Sequence, residues 1–118
     1  VLLLLLAGFP AAFAQQAVAL VVEPGASIYQ QAARGFEQGF ANASPFEKIL
    51  LDGNSQEAEA AIDRLRRRRP SLVVAIGTRA ARLARSRLPD APLLYCLALR
   101  PAQNNLVGRN TGGVALDL

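Results

Sequence analysis

The chain has 118 residues, 52% of them apolar, with 13 basic against 9 acidic side chains, a formal charge of +4, one cysteine and no histidine. Such a composition belongs to a globular domain with one core and excludes an intrinsically disordered chain and an internal disulfide framework. It also removes the imidazole on which most general-base catalysis and much metal ligation depend.

Val1 to Ala14 carry no charge. This run is shorter than the roughly 20 apolar residues needed to cross a bilayer. A leucine block, a breaker at Gly8-Phe9-Pro10 and then Ala12-Phe13-Ala14 have the layout of a secretory signal peptide over residues 1–14, with cleavage expected before Gln15. No methionine or basic segment precedes Val1, so the signal is expected to be truncated at its start. No cysteine follows the leucine block, so a lipoprotein anchor is not expected.

From Ala17 onward, short apolar runs alternate with longer amphipathic stretches. Ala17 to Val22 has strand length and closes on the turn-forming Pro24-Gly25. In the segment that follows, Tyr29, Ala32, Ala33, Phe36 and Phe40 fall at helical spacing, with Ser27 as the expected N-cap. Gly35 and Gly39 lie one turn apart, a spacing expected to let this helix approach a sheet closely. Phe46 to Asp52 reads as a second strand closed by Gly53-Asn54, and Asn54 with Glu57 has the spacing of a capping box. The next helix turns Ala58, Ala61, Ile62 and Leu65 to one face and ends at Pro70. Leu72 to Ile76 is a continuous apolar run, as expected of a strand covered on both sides. A helix capped by Thr78 runs from there through Leu88, and Pro92 to Leu99 forms the fourth strand. A polar loop then leads to a short last strand from Val114 to Leu118.

Strands alternating with helices in this way predict one α/β domain over residues 15–118, an open parallel sheet with helices on both faces in three layers. Ligands of such sheets bind outside the carboxyl ends of the strands, where the strand order reverses. The sharpest loop at that edge is Gly77-Thr78, where glycine permits close approach, threonine offers a hydroxyl, and the amides of the following helix favour an anionic group. Ser27 offers the same chemistry at the first helix. Both residues are equally suited to cap helices with no ligand present.

Catalytic arrangements are lacking. Asp52, Glu57, Glu59 and Asp63 sit at a strand end or on a polar helix face, Cys96 stands alone in an apolar run, and no phosphate loop or dinucleotide fingerprint occurs. No enzyme, metal or cofactor chemistry is expected. The run Arg66 to Arg69 closes a helix, where cations complement the dipole, and it has no interleaved aromatic residues. Nucleic acid is therefore not the expected partner; a solvated helix end or a docking surface for a protein or anionic headgroup fits better.

Three stretches carry a family resemblance: "ALVVEPGASIYQQAARGFEQGF", "PSLVVAIGTRAARLA" and "LPDAPLLYCLALRPAQNNL" with "NTGGVALDL". Together they resemble the N-terminal lobe of the substrate-binding proteins of bacterial ABC transporters, which have a type I periplasmic-binding-protein fold. The resemblance implies a Rossmann-like lobe of a periplasmic protein that captures a small solute and delivers it to a permease in the inner membrane. An amino acid or related carboxylate is the solute class it implies. It carries ligand contact to Ser27, Tyr29, Gly77 and Thr78, and to Ala98 and Leu99 at the exit of the fourth strand. Arg100 stands before Pro101 where many relatives have an acidic residue, so ligand chemistry does not transfer there. A different class stays open beside it: a one-lobe exported sensory or interaction module contacting a partner through the arginine-rich helix end.

Overall fold

The structure is a computed structural model that describes residues 18–40, 46–52 and 55–116. The expected signal peptide, and Asn54 of the expected capping box, lie outside the described residues. The chain order is β1 (Val18–Val22), α1 (Ser27–Phe40), β2 (Phe46–Leu50), α2 (Ser55–Arg68), β3 (Leu72–Ile76), α3 (Thr78–Arg87), β4 (Leu93–Leu99) and β5 (Thr111–Leu116). The five strands form one sheet in the order β2-β1-β3-β4-β5, and every pairing is parallel. The expected α/β architecture, an open parallel sheet between helical layers, is the one observed.

All five residues of β1 are buried, as are the last four of β3, because these central strands are covered on both sides. Alternation along each strand divides the core in two. Leu20, Val22, Val74 and Ile76 face α1, whose Ala33 is buried and whose Tyr29, Ala32 and Phe36 pack around them. Phe36 also stacks on Phe40 at 4.4 Å and meets the edge of Phe46 at 5.5 Å, which ties α1 to the start of β2. Ala19, Val21, Val73 and Ala75 face the opposite layer, built from Ala58, Ile62 and Leu65 of α2 and from Ala80, Ala81 and Ala84 of α3. Small alanines on α3 let that helix sit close to the sheet.

Two expectations are corrected. Gly35 and Gly39 do not mark a close approach: a Cβ at either would meet nothing within 4 Å, and both are exposed on the outer side of α1. The last strand begins at Thr111, three residues earlier than expected, because the polar segment Thr111-Gly112-Gly113 pairs with Leu93, Leu94 and Tyr95 of β4. A Cβ at Gly113 would collide with the Tyr95 carbonyl oxygen and come within 2.7 Å of the Tyr95 ring. Gly113 is thus read as a loop residue in the sequence but serves as the point where β5 lies against buried Tyr95. Gly113→Ala is expected to cost about 2 kcal/mol, since backbone rather than a flexible side chain must yield, and urea unfolding would measure it.

Candidate functional site

All parallel strands deliver their carboxyl ends to one edge, and the order reverses between β1 and β3, so the loops leaving those two strands diverge there. Main-chain bonds extend the sheet one residue past the strand ends: Glu23 N–H donates to the Ile76 carbonyl at 3.1 Å and Gly77 N–H to the Cys96 carbonyl at 2.9 Å. Glu23 and Gly77 are therefore held side by side. Gly77 has φ 103° and ψ 157°, a combination essentially closed to residues with a Cβ. A Cβ there would sit 2.7 Å from the Glu23 carboxyl carbon.

The absence of that Cβ makes room for a carboxylate. Glu23 Oε1 accepts the Ala80 N–H at 2.7 Å, so the group held by the amino end of α3 is a side chain 57 residues earlier in the chain. Gly77 is the N-cap of α3 and supplies no side-chain cap. Glu23 takes over that role, and its negative charge is favoured by the helix dipole.

Thr78 does not cap α3, contrary to expectation. It is the first helical residue, and its hydroxyl oxygen instead accepts the Leu99 N–H at 2.8 Å, binding the start of α3 to the exit of β4. That N–H is available because β4 is irregular. Its register with β5 shifts between Cys96 and Ala98, and Leu97 in the gap has φ 59°. A bulge of this type re-aims the residues after it. Beyond it, Asn104 Nδ2 donates to the Leu99 carbonyl at 2.7 Å and to the Arg100 carbonyl at 3.2 Å, and buried Leu106 donates its N–H to the Pro101 carbonyl at 2.8 Å. The loop after β4 is pinned to the edge of the sheet.

Ser27 is the first residue of α1 and is exposed, and Tyr29 lies half-buried in the same first turn, packed against the Leu20 cluster. Gly77 is buried, while Thr78 and Leu99 are half-buried beside one another. Ala98 is fully buried in the core between the sheet and α3, so it shapes the edge from beneath. Sequence reasoning passed over Glu23. The available signal was its position one residue after β1, level with Gly77 one residue after β3, but only the pairing Val22↔Ile76 makes them neighbours.

Among the described residues no group of three or more Cys, Asp or Glu side chains is arranged to hold a metal ion. Cys96 is half-buried, and burial pushes its thiol above the ordinary value by penalising the thiolate. Its alkylation by a maleimide near neutral pH is expected to run slower than that of a free thiol, and to reach the free rate once the protein is unfolded in urea.

No protein-family model matches the sequence, and no curated protein does. A solved structure does match in fold: the ligand-free, open structure of CD0873, a substrate binding protein with adhesive properties from Clostridium difficile, with a TM-score of 0.75 at 14% sequence identity. The match covers 87% of this chain and 39% of that one. The class defined by the fold is thus a Rossmann-like α/β lobe of the kind found in a substrate-binding protein. At this identity the likeness is one of fold, and this chain spans well under half of the length of the protein it matches.

Proposed function

We propose that the chain is an exported, non-catalytic solute-binding component of an ABC-type importer, capturing a small solute in the periplasm for a permease in the inner membrane. The observation that carries this reading is the placement of Glu23 and the Gly77-Thr78 corner at the reversal point between β1 and β3, with Leu99 of β4 tied to Thr78 beside it, in a sheet whose fold matches a substrate-binding protein. An amino acid suits the edge better than a simple anion. Among the described residues the Glu23 carboxylate accepts one hydrogen bond, from Ala80, and it pairs with no cation, so it has capacity for a ligand ammonium group. The hydroxyls of Ser27 and Thr78 are donors for the ligand carboxylate, with Tyr29 and Leu99 beside its apolar part. Solute-binding clamps bury their ligand between two lobes, and this lobe supplies one jaw.

Calorimetric titration with a panel of amino acids tests the reading. One of them is expected to give a saturable signal that Ser27→Ala and Thr78→Val each weaken by about tenfold, the cost of roughly one hydrogen bond. Thr78→Val also leaves the Leu99 N–H without its acceptor, so Ser27→Ala is the cleaner variant. No saturable signal from any member of the panel, or affinity untouched by both changes, would sink the proposal.

A further inference from the structure

Charge is distributed very unevenly along this chain. Residues 64–118 contain eleven of the thirteen basic side chains and only two of the nine acidic ones, Asp90 and Asp117. The fold gathers nine of those arginines on one side, because α2 and α3 pack together on the same face of the sheet. Helix α3 itself has four arginines and no acid. Three pairings take up part of the charge: Arg66 with Asp63 at 3.7 Å, Arg68 with Glu47 at 3.0 Å and Arg87 with Glu59 at 3.1 Å. Arg64, Arg67, Arg69, Arg79 and Arg82 are exposed and form no ion pair with a described residue.

Two depressions lie on this side. One, of about 400 Å³, runs between α3 and the loop after β4 and is lined by Arg79, Arg82, Arg85, Ser86 and Asn105, with no acid among the described residues of its wall. The other, of about 680 Å³, lies where α2 and α3 end and is lined by Arg66, Arg69, Ser86 and Arg87, with Asp90 as the one acid among its described residues. Ser86 lines both, so the two are contiguous and form a cationic band along α3.

From this band we infer that the α2–α3 face docks on the phosphate groups of an anionic phospholipid surface. Every cation in the band is an arginine, whose planar fork grips phosphate oxygens in pairs. Among its described lining the band has no aromatic side chain, and of its apolar members Pro70, Leu88 and Ala91 are buried, which leaves half-buried Leu83 and exposed Pro89 at opposite ends; it therefore lacks the platform that stacks nucleobases and has no contiguous apolar centre of the kind on which protein interfaces depend. A headgroup surface requires neither, since several basic groups spread over one face suffice. The inference rests on the reading of the chain as exported, which sets it beside a membrane leaflet, but vesicle binding involves no solute and the two readings fail separately.

The test is co-sedimentation of the full chain with vesicles of phosphatidylglycerol and phosphatidylcholine, against vesicles of phosphatidylcholine alone. Binding is expected only to the anionic vesicles and is expected to vanish between roughly 0.05 and 0.5 M salt. Arg79→Gln with Arg82→Gln is expected to weaken partitioning by about 30-fold, whereas Arg34→Gln, exposed on α1 across the sheet, leaves it unchanged. Circular dichroism confirms that the variants are folded. Equal binding to neutral vesicles, or equal loss in the Arg34 variant, would overturn the inference. So would displacement from vesicles by a short DNA duplex present at far lower phosphate concentration, which would make the partner nucleic acid, or by millimolar inorganic phosphate, which would make the band a small-anion site. Binding of solute without binding of anionic vesicles would leave the importer reading intact and end this one.

Discussion

Gly77→Ala is expected to destabilise the protein by about 3 kcal/mol, the largest effect of any single substitution at the candidate site. Two causes act together. The backbone at φ 103° and ψ 157° is strained for any residue with a Cβ, which alone costs about 1–3 kcal/mol. The new methyl group would also stand 2.7 Å from the Glu23 carboxyl carbon and 3.0 Å from the Oε1 that accepts the Ala80 N–H. A double-mutant cycle with Glu23→Ala separates them, because removing the carboxylate relieves the collision and leaves the backbone strain. The double variant is therefore expected to be more stable than the sum of the two single losses by about 1 kcal/mol. Urea unfolding of the four proteins gives the cycle, and a Gly77→Ala loss below about 0.5 kcal/mol would show that the corner yields to a methyl group and is not a rigid joint.

Glu23→Ala is expected to cost about 2 kcal/mol, since it removes a charge-assisted hydrogen bond and leaves the Ala80 N–H at the amino end of α3 without its acceptor. Glu23→Gln keeps an acceptor oxygen in nearly the same shape and is expected to lose only about half as much. The same pair of variants separates the structural from the ligand-binding role. If Glu23 receives the ammonium group of an amino acid, Glu23→Gln weakens solute affinity by about tenfold or more while the protein stays folded. If its sole work is to cap α3, affinity follows stability, and Glu23→Gln binds solute nearly as well as the parent.

The fold was legible to the extent that it depends on local periodicity. The central strands are continuous apolar runs and α2 has a 3.6-residue apolar stripe, so their types and approximate limits follow from the chain itself. Glycine was the weak point. Gly35 and Gly39 fall where a close approach was expected and face solvent, while Gly113 reads as loop and is built into β5. A glycine's meaning depends on which atoms lie next to it, and in these cases the sequence neighbours are not the spatial ones.

The candidate site shows the same division. Its corner was visible in "VVAIGT", where an apolar run stops at Gly77 and a helix starts at once. The role of Thr78 was not visible, because its partner is a main-chain N–H on β4 exposed by a bulge at Leu97, and nothing in "PLLYCLAL" announces a bulge. By itself the sequence determined the kind and order of the elements and that a sharp glycine corner opens α3, since each depends on residues a few positions apart. Only the tertiary structure decided what fills that corner. Laying β1 against β3 in parallel register brings Glu23 to Gly77 across more than fifty residues of chain, and a pairing at that distance is set by the packing of the whole sheet rather than by local sequence.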